Sequence, residues 1–145
     1  VFDLVKQHDA VLATGHVSAQ ESVCLAQAAL AAGVRKVVVT HPAVPWVDMP
    51  AGTQVELRDL GVTFERCYVS STPVGGGVPF GRIVSDIQQV GVDSTLLTTD
   101  FGVATLPPPV EGMRAYVAAL LNAGFSEHDV QVMAGDIPAQ LLGLD

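Results

Sequence analysis

Charge is scarce in this chain, and basic charge is scarcest. Charged residues make up 15% of the 145, with seven Lys and Arg against fifteen Asp and Glu, for a formal net charge of −8. That balance repels phosphate backbones and anionic headgroups alike, so nucleic-acid and membrane-surface partners are disfavoured. No run approaches the ~20 apolar residues of a membrane span. The opening Val1-Phe2-Asp3-Leu4-Val5-Lys6 also lacks the basic-then-apolar order of a targeting segment. A soluble protein of the cytoplasm is the expectation. Only two cysteines are present, Cys24 and Cys67, each inside an apolar stretch and in no paired ligand spacing such as C-x-x-C. They read as buried free thiols.

Apolar side chain, by contrast, is abundant at 49% of residues, enough to core one domain of this length. No linker, charge block or low-complexity segment divides the chain, so residues 1–145 read as a single unit. Short, uniformly apolar runs alternate with amphipathic stretches. Strands are expected over 9–15, 35–40, 62–70 and 94–99, each too short for a helix and too apolar for a half-exposed strand.

Helices are expected between them. The first follows Ser18-Ala-Gln-Glu21, which has the form of a capping box, and ends at Gly33. Others are expected over 53–60 and 80–90, over 110–122 behind Pro107-Pro108-Pro109, and over 127–134 ahead of Pro138. Alternation at this spacing implies parallel strands in an α/β fold of about four consecutive βα units. The chain also opens within what reads as a helix, on Val1 instead of Met, which suggests a fragment of a longer protein.

In parallel α/β folds chemistry gathers at the carboxyl ends of the strands, where the loops converge and helix amino termini point inward. That rule selects His16, His41, Ser70, Ser71 and Asp100. Imidazole nitrogen and carboxylate oxygen suit a hydrolytic divalent ion, and His16, His41 and Asp100 stand at the ends of three different strands. Ser70 and Ser71 lack the G-x-S-x-G elbow of a nucleophile. His8 and His128 lie in polar helical stretches and read as solvated.

Gly75-Gly76-Gly77 precedes a helix but no P-loop Lys or Ser/Thr follows, so a mobile loop is expected there instead of a phosphate cradle. Glu65 and Arg66 are adjacent charges in an apolar strand. One must face the inner side, and which one stays open. Trp46 and Phe101 either wall a pocket or pack the loops.

Thr14-Gly15-His16, Val39-Thr40-His41-Pro42, Thr98-Thr99-Asp100 and the terminal Asp136-Ile137-Pro138-Ala139-Gln140-Leu141-Leu142-Gly143-Leu144, in this order, resemble the carboxyl-terminal half of an amidohydrolase-superfamily metal-dependent hydrolase. Ile137 departs from the Asn common in that family before Pro-Ala. The resemblance implies strands 5–8 of a (β/α)8 barrel. His16 would be the strand-five metal ligand, and His41 the strand-six histidine that binds a second metal or polarises the attacking water. Asp100 would be the strand-eight carboxylate that contacts the metal or its water and shuttles a proton.

The cofactor implied is a divalent metal, zinc first, with manganese or iron also suited to nitrogen and oxygen donors. The substrate would be a small molecule with an amide, ester or related bond. The family's strand-one His-x-His pair and strand-four ligand are absent from this sequence. The fragment alone is therefore expected to be inactive, completed by a missing half-barrel or a second copy. The alternative is a non-catalytic flavodoxin-like module holding an anionic ligand on backbone amides. A degenerate barrel kept for assembly is a third reading.

Overall fold

Every strand pairs in parallel with the strand that follows it in the chain. The computed structural model describes residues 1–144. It contains strands β1 (Leu12–Ala13), β2 (Val37–Thr40), β3 (Thr63–Cys67) and β4 (Thr95–Thr98), in the spatial order β1-β2-β3-β4. The registers set Leu12 beside Val37, Val39 beside Phe64 and Cys67 beside Thr98. Helices α1 (Phe2–Gln7), α2 (Ala19–Ala31), α3 (Ala51–Arg58), α4 (Phe80–Val90) and α5 (Pro109–Asn122) intervene. The expected alternation is present. The first strand is shorter than its apolar run, and the third gives way after Cys67 to a 3-10 turn, Tyr68–Ser71.

Each helix is placed by a local signal. Ser18 Oγ accepts from the Glu21 amide while the Glu21 carboxylate accepts from the Ser18 amide, so the capping box forms as the sequence implies. Ala26 and Ala29 then bury the face of α2 against Val37 and Val39. In α4, Ile83, Ile87 and Val90 fall at helical spacing and are buried. At the carboxyl end, α6 (Glu127–Gln131) runs through a π-helical turn, Val132–Asp136, into α7 (Ile137–Leu142). Pro138 therefore does not stop the helix as expected. It stands in the first turn of α7, where a missing amide costs little.

Strand alternation divides the molecule into two unlike faces. Val37, Val39, Phe64 and Leu97 point into cores shared with α2, α3, α4 and α5. Their neighbours Val38, Glu65 and Leu96 face the other way. With Val11 and Ala13 they line an open groove of about 330 Å³, edged by Pro138, Leu141 and Leu142 of α7.

Two expectations are corrected or settled by this layering. Cys67 is buried but Cys24 is exposed on the outer side of α2, because the helix turns its alanines and not its thiol to the sheet. Arg66 shares the core face with Phe64 and is the buried charge, while Glu65 faces the open groove. Arg66 is held by Gln54, whose Oε1 accepts from Nη2 at 2.8 Å, and by Asp86, whose Oδ2 lies 3.7 Å from Nη1. Burial pushes the Arg66 guanidinium down to about 10, with Asp86 opposing, so the group stays charged near neutral pH.

No helix among the described residues is long and apolar enough to cross a membrane.

Candidate functional site at the strand ends

Three of the four strands end in a residue with positive φ that turns the chain out of the sheet. These are Gly15 (φ 71°) after β1, His41 (φ 48°) after β2 and Asp100 (φ 52°) after β4. Glycine takes that conformation freely, whereas a histidine or aspartate does so at a cost, and such outliers concentrate at functional sites. Two threonines lace the ends of β1 and β2. The Thr40 amide donates to Thr14 Oγ1 at 3.1 Å, and the Gly15 amide donates to Thr40 Oγ1 at 3.3 Å. That lacing sets His16 beside His41.

The structure brings His16, His41 and Asp100 together. The two imidazole rings lie nearly parallel, at 10°, with centroids 5.1 Å apart. His41 Nε2 is 3.6 Å from Asp100 Oδ2, an ion-pair distance too long for a hydrogen bond. The three differ in exposure. The His41 side chain is 8% exposed and that of Asp100 58%, while His16 is open to solvent. Nδ1 of His41 is buried without a partner. Burial holds the His41 pKa below the usual histidine value, with Glu65 and Asp100 pulling it up and His16 pushing it further down. The neutral imidazole, the form that offers a lone pair, is thereby favoured.

A cavity of about 130 Å³ opens over these groups, walled by Val44, Trp46, Val69, Val74 and Val103. Trp46 is thus a wall residue. Phe101 is instead a packing residue, 6% exposed and stacked on Tyr68.

The glycine run is tied down, not loose. The Gly75 and Gly77 amides donate to the Thr72 carbonyl, and the Val78 amide to the Ser70 carbonyl. A side chain at Gly75 would overlap the Val69 carbonyl, and one at Gly76 would meet Pro45. The mobile loop expected there is replaced by a close approach of two loops, and the glycines are needed for that contact.

Glu65 approaches the site from the groove face of the sheet. Its carboxylate accepts from Thr98 Oγ1 at 3.1 Å, and Thr98 Oγ1 lies 2.7 Å from Cys67 Sγ. The signal was present in the alternation, since Phe64 and Arg66 share one parity and Phe64 must face the core. Burial, reinforced by Glu65, pushes the Cys67 thiol up and keeps it neutral. Ser70 is buried and lines a void of about 10 Å³ beneath His41.

In donor type the two imidazoles and the carboxylate suit a divalent ion. The buried, unpartnered Nδ1 of His41 is consistent with a polar group waiting for a ligand. As the side chains stand, no group of three or more His, Cys, Asp or Glu among the described residues is gathered closely enough to hold one. Lone pairs lie in the ring planes, so exposed His16 must rotate before both imidazoles address one point.

Residues 1–65 match a family described as a family of unknown function (DUF6282), a span that includes His16, His41 and Glu65 but not Asp100. No curated protein and no solved structure matches the chain.

Proposed function

We propose that the chain is the carboxyl-terminal portion of a metal-dependent hydrolase of the amidohydrolase kind, equivalent to strands 5–8 of a (β/α)8 barrel, acting on an amide, ester or related bond. The observation that carries this reading is the meeting of His16, His41 and Asp100 at the carboxyl ends of three parallel strands, two of them on left-handed backbone. The sequential strand order, the helices on one face and the apolar groove on the other agree with half of a barrel. A doubly wound sheet would reverse its strand order and cover both faces. The groove is the place for the complementary half-barrel, from a longer chain or a second copy.

His16, His41 and Asp100 would hold the ion, zinc in the first instance with manganese or iron as alternatives. When bound, the ion supplies Lewis-acid polarisation and lowers the pKa of water toward ~7. His41, desolvated and neutral, offers a ring nitrogen without first losing a proton. Asp100, exposed and 3.6 Å from His41 Nε2, takes a proton from water at Oδ2 and returns it to the leaving group. The anion-binding alternative loses support, because the Gly75 and Gly77 amides are already spent on Thr72.

The test is metal content and zinc-dependent melting of the protein, wild type against His16→Ala and Asp100→Ala. Zinc is expected to raise the melting temperature of the wild type, a chelator to abolish the rise, and both variants to lose metal. Undiminished metal in both would reject the site.

A further inference from the structure

Resting on the hydrolase reading of the same site, we infer that the strand-end cavity selects an uncharged small molecule that lays one flat apolar group, about the size of a single ring, against Trp46. The polar floor of the cavity is His16, His41 and Asp100. Its rim is apolar and comes from three different loops. Trp46 is 51% exposed, Val74 52% and Val103 38%. Single exposed apolar residues need no explanation, but three around one cluster of polar groups form a patch with a purpose. At about 130 Å³ the space is close to the ~150 Å³ that accommodates benzene in an engineered cavity. It therefore has room for one ring against the indole.

The indole is held where a ligand would meet it. Gly76, at φ 103°, passes so close to the preceding loop that a β-carbon there would lie 2.7 Å from Pro45 and 3.6 Å from Trp46. One side of the Trp46 loop is thereby braced by the glycine run.

Charge decides the rest. Among the described residues no lysine or arginine lines the cavity, and its one formal charge is the Asp100 carboxylate. In the metal-free protein an anionic ligand would meet a like charge with no counter-ion. A cationic ligand would compete with the divalent ion for Asp100. An uncharged amide or ester with an aryl group meets neither obstacle. Its polar bond lies over the imidazoles, and its ring stacks on Trp46.

Trp46 is the sole tryptophan of the chain, so its emission reports occupancy directly. We would titrate the protein, zinc-supplemented and chelator-treated, with acetanilide, benzoate and phenyltrimethylammonium, and repeat the series with Val74→Asp. Saturable change with acetanilide is expected in both states of the protein. In the chelator-treated protein benzoate is expected to bind about tenfold more weakly or worse, and Val74→Asp is expected to lose the acetanilide response. The inference is overturned by no saturable response to acetanilide, by benzoate binding as tightly in the chelator-treated protein, by phenyltrimethylammonium binding more tightly in the zinc-supplemented protein, or by an unaltered response in Val74→Asp. Metal content is measured separately. Failure to load zinc with acetanilide still bound would reject the hydrolase reading and leave the occupant standing.

Discussion

Asp86→Ala is expected to be among the most damaging single substitutions in this protein. The Asp86 side chain is 1% exposed. It accepts from Arg82 Nε at 2.9 Å and from Gln54 Nε2 at 3.2 Å, and it faces Arg66 Nη1 at 3.7 Å. Arg66 is equally buried, and its Nε and Nη1 have no hydrogen-bond partner. Removing the carboxylate strands a guanidinium charge in the helix–sheet layer with only Gln54 to support it. Breaking a buried pair in this way costs about 3–5 kcal/mol, against a total of about 5–15 kcal/mol for a typical domain. The melting temperature should fall by roughly 10–20 °C.

The assay is urea unfolding followed by circular dichroism, with Arg66→Met and the Arg66→Met/Asp86→Ala double variant completing the cycle. If the cost comes from the stranded charge, Asp86→Ala is milder by about 2 kcal/mol in the Arg66→Met background. Equal costs in both backgrounds, or a loss under about 1 kcal/mol in the wild type, would refute the reasoning.

Gly75→Ala is expected to destabilise by about 1–3 kcal/mol, because its β-carbon would strike the Val69 carbonyl and the Ser70 amide, and backbone cannot yield as a side chain does. An unchanged melting curve would show that the turn from Val69 to Gly75 yields without cost. Acidification is expected to weaken the chelator-treated protein in a window that begins near the ordinary histidine value of 6.5. The folded-state pKa of His41 lies below that value, so its contribution is present above 6.5 and is lost as pH falls through the folded pKa. Asp9, Glu21 and Asp129 are lowered from 3.8, 4.5 and 3.8, and act only in more acidic solution. His41→Asn keeps a residue that tolerates left-handed backbone. Melting temperatures measured at about pH 7.5 and 5.5 should converge in that variant, and an undiminished pH slope would assign the effect elsewhere.

Much of the element order follows from local signals that act over a few residues. A short apolar run such as Val37-Val38-Val39, set between Gly33 and Pro42, is a strand, and Ser18 with Glu21 starts a helix wherever the chain later packs it. One chemistry-bearing residue shortly after each of three strands is likewise visible in one dimension, because strand ends are.

What the sequence left undecided depends on faces and distances. Glu65 and Arg66 are neighbours of opposite parity; the parity Arg66 shares with Phe64 points to Arg66 as the buried charge, and the packing of Phe64 against α2 and α3 fixes it. Cys24 sits in as apolar a run as Cys67, yet α2 turns it outward. Asp86 sits at helical spacing between Ile83 and Val90 as if it were a misplaced polar residue. It becomes intelligible only when β3 brings Arg66 to it.

The amino-acid order by itself determined the alternating parallel α/β pattern and put His16, His41 and Asp100 at strand ends, because hydrophobic period and turn residues are local properties. Tertiary structure alone decided that these three share one rim, that His41 is buried while His16 and Asp100 are open, and that one sheet face carries an open groove edged by α7. Those outcomes depend on which distant segments pack against each other, and side-chain burial and mutual distance are fixed by that packing.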